Sequence, residues 1–190
     1  MAARLRTHAT YADLLRVPDD RIAEIVDGEL FMSPRPGGPH ARFATVLTMH
    51  VGPPYDLGFG GPGGWVFIFE PELHLGTDDV LVPDLAGWRR EHLPEIPKSH
   101  IFPIAPDWIC EVLSPSTRRL DLTKKLPVYA REGVSHAWLI DPLERTAEIR
   151  RLQNQQWLVI ATYAGNDKFR AEPFELVEID LPSIWGEDQN

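Results

Sequence analysis

Proline and glycine punctuate this chain so densely that only short regular elements fit between them. The 190 residues include 18 prolines and 14 glycines. Proline fixes φ and removes a backbone donor, and glycine supplies turn conformations that other residues avoid. No fixed-period repeat and no low-complexity linker interrupts this pattern. A length of 190 fits one domain, since domains run to roughly 100–200 residues. The whole chain, with a core from about 10 to 185, is therefore expected to fold as one unit.

Within that punctuation the periodicity is readable. Thr10 to Arg16 predicts a short helix with a threonine cap, closed before Pro18. Arg21 to Val26 and Glu29 to Met32 flank Asp27-Gly28, the signal of a tight hairpin. Phe43, Val46, Leu47 and Val51 recur at helical spacing in the segment that begins at His40. Strand-like runs follow at Trp65–Phe69, Glu72–Leu75, Asp84–Trp88 and Trp108–Leu113. Leu122, Leu126, Tyr129 and Ala130 restore a helical stripe over Leu120–Arg131, where Pro127 signals a late start or a bend. Ser135–Ile140, Ala147–Leu152, Trp157–Tyr163 and Phe174–Ile179 are expected as further strands. The order predicts a mixed α/β (α+β) domain: one mixed sheet with helices on its faces, an N-terminal hairpin and extra C-terminal strands.

Composition narrows the function classes. Apolar residues at 43% and charged residues at 25% are ordinary globular values. The single cysteine, Cys110, cannot form an internal disulfide, and the N-terminal residues lack the apolar core of a signal peptide. The strongest apolar run, Trp65–Phe69, is far short of a membrane span. A soluble, cytoplasmic protein is expected. The net charge of -9 argues against a protein that coats nucleic acid nonspecifically. That charge is unevenly spread. Residues 116–131 carry five basic side chains against one acid, a net of +4, whereas residues 165–190 carry two against seven, a net of -5.

Two acids stand in otherwise apolar strands, Asp84 after Pro83 and Glu111 in Trp108-Ile-Cys-Glu-Val-Leu113. Carboxylates are rarely buried unless they are paired or bind metal. If the two strands are neighbours, both acids converge where magnesium would accept them as oxygen ligands. The alternative places Asp84 at a turn and Glu111 at a solvent-facing strand end. Alternation puts Cys110 on the face opposite Glu111, which argues against a thiol nucleophile working with that acid. Asp121 and Lys125 form an i, i+4 pair. Spacing alone favours a surface salt bridge, while a site lysine is the functional alternative. The seven histidines form no His-Glu-x-x-His motif, and no phosphate-binding glycine loop or serine-hydrolase elbow occurs.

In order along the chain, Ile22-Ala-Glu-Ile-Val-Asp-Gly-Glu-Leu30, Val82-Pro-Asp84, Glu111-Val-Leu-Ser-Pro-Ser116, Asp121 to Lys125, Tyr129 to Val134 and Ala137-Trp-Leu-Ile-Asp-Pro142 form six blocks. Together they resemble the Uma-type family of putative restriction endonucleases, part of the PD-(D/E)XK nuclease superfamily. The resemblance implies a restriction-endonuclease-like core, with a mixed central sheet flanked by helices. It implies Asp84 and Glu111 as magnesium ligands, with the Val112 carbonyl as a third and manganese as a substitute ion. The superfamily's usual lysine, two places after the second acid, is replaced by Leu113. Lys125 is the family's match on the following helix, with Lys124 beside it. Glu24, Asp121 and His40 fit further positions of the family pattern as supporting residues. The implied activity is magnesium-dependent hydrolysis of DNA by a homodimer that binds its substrate weakly and transiently. A nuclease-fold module that no longer cuts, and acts in DNA binding or protein assembly, is the competing possibility.

Overall fold

Residues 8–186 are described by a computed structural model. Residues 1–7, where no signal peptide is expected, and residues 187–190 of the acidic tail lie outside the described residues.

The N-terminal part follows its local signals closely. Thr10 caps α1 (Tyr11–Leu14) through a box with Asp13. Strands β1 (Arg21–Val26) and β2 (Glu29–Pro34) pair antiparallel, with Val26 opposite Glu29. The turn between them puts Asp27 at φ 50° and Gly28 at φ 74°, and positive φ at both central residues gives the twist a two-residue hairpin needs. Helix α2 (Gly38–Val51) buries Phe43, Ala44, Leu47 and Val51. The next strands are β3 (Trp65–Phe69), β4 (Glu72–Leu75), β5 (Asp79–Leu81), β6 (Leu85–Arg89), β7 (Ile101–Phe102) and β8 (Trp108–Val112).

The segment expected as one helix over Leu120–Arg131 is built in three pieces. These are α3 (Arg118–Leu120), a wide π-helical turn at Asp121–Lys125, and α4 (Leu126–Arg131). Pro127 has no N–H to give to the preceding turn, and the amide of Leu126 bonds back five residues to the Asp121 carbonyl. Strands β9 (His136–Asp141), β10 (Thr146–Gln153) and β11 (Gln156–Ala164) follow, then β12 (Lys168–Phe169), β13 (Ile179–Asp180) and α5 (Leu181–Trp185).

The mixed sheet has six strands in the order β11-β10-β9-β8-β6-β3, with β8 and β9 parallel and the other neighbours antiparallel. A second sheet, β2-β1-β5-β4-β7, stands beside it and absorbs the hairpin, and β12 and β13 form a separate ribbon. Two short strands of the second sheet, β5 and β7, carry no sequence signal of their own.

The six-stranded sheet is covered on both faces. Trp108, Cys110 and Val112 pack on one side with Phe43 and Leu47 of α2. Ile109 and Leu113 pack on the other with Leu73 and Leu81 of the second sheet and with Leu126 and Tyr129 of α4. Strand alternation at β8 therefore holds as expected. In β6, a Cβ on Gly87 would stand 2.9 Å from the Phe67 ring and 3.2 Å from that of Trp108, so only glycine lets both rings lie over the strand.

The run Phe174–Ile179 is a correction to the expected strands, since only Ile179 lies in one. Phe174 and Val177 donate their amides to Ala171 and Phe174 carbonyls in successive turns. The apolar residues serve as a plug. The Phe174 ring meets those of Tyr55, Trp65, Phe67, Trp108 and Trp138 edge-on at centroid distances of 4.9 to 5.7 Å, an arrangement that aromatic quadrupoles favour. Phe174→Ala is expected to cost about 3–5 kcal/mol in urea unfolding; a loss below about 1 kcal/mol would show that this segment is not part of the core.

Candidate active site

The pairing of β6 with β8 sets Leu85 opposite Cys110, so Asp84, just ahead of β6, lies beside the end of β8. Asp84 is thus in the linker before the strand and not in it. Its Oδ2 accepts the Val112 N–H at 2.6 Å. His40, in the first turn of α2, brings its Nε2 to 2.8 Å from the Val112 carbonyl oxygen and 3.3 Å from Asp84 Oδ2. Val112 is therefore held at both its amide and its carbonyl by site side chains.

On the opposite face of β8, Glu111 enters a buried ionic cage. Lys125 Nζ lies 3.0 Å from Glu111 Oε1, 2.9 Å from Glu24 Oε1 and 3.6 Å from Asp121 Oδ1, and donates to the Val82 carbonyl at 3.0 Å. Glu24 Oε1 also accepts the Val82 N–H at 2.8 Å. Tyr129 donates its hydroxyl to Glu111 Oε1 at 2.8 Å. Glu24, Glu111, Asp121 and Lys125 are each no more than 3% exposed. Asp121 and Lys125 are thus not the surface pair that their spacing favours. The π-helical turn carries both inward, toward acids delivered by β1 and β8.

The charge balance of the cage sets the direction in which its groups shift. Three carboxylates surround one ammonium, so full ionisation would leave an excess negative charge without water. Burial raises Glu111 well above the usual carboxylate range, against the pull of Lys125. Burial likewise raises Asp121 to about 6. For Lys125 burial works to lower the pKa, yet Glu111 and Glu24 outweigh it and the ammonium is held well above its usual range. Burial also works to lower His40, but the hydrogen bond and charge of Asp84 raise it overall. Cys110 is buried, and burial pushes its thiol well up, which fits an inert core cysteine.

Glu24, His40, Asp84, Glu111, Asp121 and Lys125 line one cavity of about 160 Å³, together with Arg35, Ser114, Ser116 and Thr117. Larger hollows lie elsewhere, including one of about 490 Å³ beside Leu14 and Glu72. Size alone does not mark the site; convergent charged groups do. Lys124 is not brought into the cage. It is 37% exposed, and its Nζ lies 3.8 Å from Glu29. Tyr129 and the Val82 carbonyl join the site without having been singled out from sequence. Tyr129 does carry a signal, because Asp121, Lys125 and Tyr129 recur every four residues.

Among the described residues, no three His, Cys, Asp or Glu side chains form a group able to hold a metal ion. Small divalent ions need less than that: one or two carboxylates and a carbonyl, with water and substrate oxygens completing the shell. Asp84 Oδ2 and the Val112 carbonyl oxygen already converge on one point, the Nε2 of His40. Glu111, the residue before Val112 in β8, lines the same cavity as Asp84. The hard oxygen set of Asp84, Glu111 and Val112 therefore fits such an ion.

Comparison with known proteins places this geometry. Residues 9–182 match the model of the Uma2 family, described as "Putative restriction endonuclease". The chain belongs to that family. A similar solved structure is that of a "putative nuclease belonging to DUF820" from Anabaena variabilis ATCC 29413, with 23% identity and a TM-score of 0.72 over 94% of this chain and 98% of that one. At that identity the likeness shows a shared fold. A search of curated proteins gives no match. The Uma2 family and the shared fold together bear out the restriction-endonuclease-like core expected from the six sequence blocks. No helix among the described residues is long and apolar enough to cross a membrane.

Lys125→Met should expose the electrostatics of the cage. Leaving three carboxylates without their cation is expected to cost about 3–5 kcal/mol at pH 8. Glu111 and Asp121, already raised by burial, then lose the cation that lowers them, so stability falls as pH rises through that range. Chemical denaturation of wild type and variant between pH 5 and 8 should show the gap narrowing toward pH 5. A gap independent of pH would mean that lost packing, not unpaired charge, is responsible.

Proposed function

We propose that this protein is a divalent-metal-dependent endonuclease that hydrolyses phosphodiester bonds in DNA, with magnesium as the working ion and manganese as a substitute. The observation that carries the proposal is the position of Lys125. Leu113 occupies the strand position where a PD-(D/E)XK lysine is expected, yet an ammonium still stands 3.0 Å from Glu111, delivered from the helical segment. Acid pair and lysine are thereby assembled in one cavity, with the lysine on a different element.

Asp84, Glu111 and the Val112 carbonyl would hold the ion. When bound, such an ion polarises a phosphoryl oxygen and lowers the pKa of bound water. The protein's own groups have distinct tasks. Lys125 offers fixed positive charge to the anion that develops at phosphorus. Glu24, Asp121 and the Val82 carbonyl fix the direction of that ammonium, and Tyr129 fixes the rotamer of Glu111. Arg35, lining the cavity, and the cationic stretch 116–131 are the local counterweight to the net charge of -9. Binding through so few cations is expected to be transient and sensitive to salt. The chain would act as one domain, and a homodimer would bring two such sites to the two strands of a duplex.

Incubation of supercoiled plasmid with magnesium or manganese tests the proposal. The wild type is expected to nick and linearise it, and Asp84→Ala and Glu111→Ala are expected to lose about a hundredfold or more in rate while retaining the wild-type circular dichroism spectrum. Wild-type activity in either variant would remove that residue from the site. Lys124→Met is expected to cut normally, and a loss there as large as in Lys125→Met would move the lysine's role to its neighbour. DNA retention without cleavage by any ion would favour the binding-module alternative.

A further inference from the structure

We propose that β11 is the surface on which a second copy of this chain docks, edge to edge and antiparallel about a two-fold axis, so that two six-stranded sheets join into one. This rests on the homodimer of the preceding section and adds to it the interface.

The free edge of a sheet presents unpaired N–H and C=O groups, and soluble proteins blunt such edges by shortness, charge, proline or a covering loop. The other edges among the described residues are blunted in these ways. At the far end of the six-stranded sheet, β3 has five residues, and the Asp56 carboxylate accepts the Phe67 amide at 3.3 Å. In the second sheet, β2 begins with Glu29 and ends in Pro34, and β7 is two residues long. The ribbon strands β12 and β13 are two residues each.

In β11 these devices are missing. Its nine residues, Gln156-Trp-Leu-Val-Ile-Ala-Thr-Tyr-Ala164, include no charge, no proline and no glycine. It pairs with β10 alone, and from Trp157 to Tyr163 its main chain makes no hydrogen bond beyond that pairing among the described residues. Leu158 and Val159 are 41% and 53% exposed. The one irregularity is a bulge at Ile160, which bends the strand without placing a charge or a proline on its edge. The strand is nonetheless firmly seated. Trp157 donates its ring N–H to the Leu126 carbonyl at 2.8 Å, and the Tyr163 ring stacks on that of Phe169. An edge already ordered by its own core has little freedom left to lose on pairing.

Charge and the state of the other edges select a second copy as the occupant. When identical strands pair antiparallel about a two-fold, the same residues face one another across the axis, and a strand without charges meets no like charge in any register. Pairing β11 with β3 of another copy would be head-to-tail and would grow without closing. The Asp56 carboxylate on the β3 edge stands against it. Two-fold pairing of β11 closes on itself. Strands β9 and β10 stand between β11 and β8, so the interface does not use the strand that carries Glu111.

Sedimentation velocity of the full chain across a dilution series tests this without reference to cleavage. The wild type is expected to sediment as a dimer that dissociates on dilution. Leu158→Lys and Val159→Lys, each at an exposed position, should raise the dissociation constant at least about tenfold, because each brings like charges of the two copies into one interface. Amide hydrogen exchange of the wild type should slow across Trp157–Tyr163 in the dimer and speed up on dilution, a readout that stands even where a lysine variant melts. A wild type that is monomeric throughout would overturn both the homodimer and this interface. A dimer that neither lysine weakens, or whose β11 amides exchange equally fast at high and low concentration, would place the second copy elsewhere and overturn the interface alone. Growth beyond the dimer would overturn the two-fold pairing. A dimer that behaves as expected and cuts no DNA would count against the nuclease reading and leave the interface standing.

Discussion

A single buried ammonium ties this molecule together. Lys125 reaches from the π-helical turn to Glu24 on the hairpin of the second sheet, to the Val82 carbonyl in the linker between the two sheets, and to Glu111 on β8 of the six-stranded sheet. Burying four charged side chains has a desolvation cost that Coulomb attraction repays only when the geometry is good and the remaining polar atoms are bonded. Here Tyr129 and the Val82 amide supply those additional bonds. Burial raises the carboxyls of Glu111 and Asp121 in answer to the excess charge of the cage. Such a cage is a poor way to gain stability compared with packed apolar groups, and a good way to fix where one cation stands.

The two faces of β8 divide the work. On the side of Glu111 the ionic cage positions a positive charge. On the side of Trp108, Cys110 and Val112 the chain is packed against α2, whose His40 reaches round the strand's end to the Val112 carbonyl. Asp84 connects the two halves, since its carboxylate accepts the amide of the residue whose carbonyl His40 holds. Backbone atoms of Val112 thus report the register between β6 and β8. A one-residue slip would turn every side chain of β8 to the other face and remove Glu111 from Lys125. The apolar demands of two different cores, one on each side, exclude that slip.

How much of this is legible from sequence depends on the range of the interaction. The Asp27-Gly28 turn, α2 and β8 are specified by residues within a few positions of one another, and they stand close to where periodicity puts them. Strands β5 and β7 are too short to show a period and exist because β4 offers them free edges. Phe174 to Val177 has the apolar content of a strand and becomes a plug, because an aromatic socket formed by Tyr55, Trp65, Phe67, Trp108 and Trp138 exists only once the fold is closed. The site divides in the same way. An acid in the middle of an apolar strand is visible, and so is Asp121 at four residues from Lys125. Spacing alone makes the latter a surface pair, since Glu24 and Glu111, which turn it into a buried cage, are remote in sequence. The six ordered blocks name these distant residues together, because a family pattern records distant partners side by side. His40 finds a backbone carbonyl, and no residue type encodes that target.

The second core accounts for the apolar residue at position 113. Leu113 shares the Glu111 side of β8 and is 6% exposed, packed in the cluster that also holds Leu126 and Tyr129. A lysine at that position would have to withdraw a large apolar side chain from this cluster and thread its own stem through it. Delivered from the helical segment instead, the ammonium enters from the far side and leaves Leu113 in place. That route needs Asp121 and Lys125 turned inward together, which the π-helical turn ahead of Pro127 provides. The arrangement fixes the position of the ammonium relative to Glu111. Its helical carrier is anchored by Leu126, Val128 and Tyr129, all at most 2% exposed.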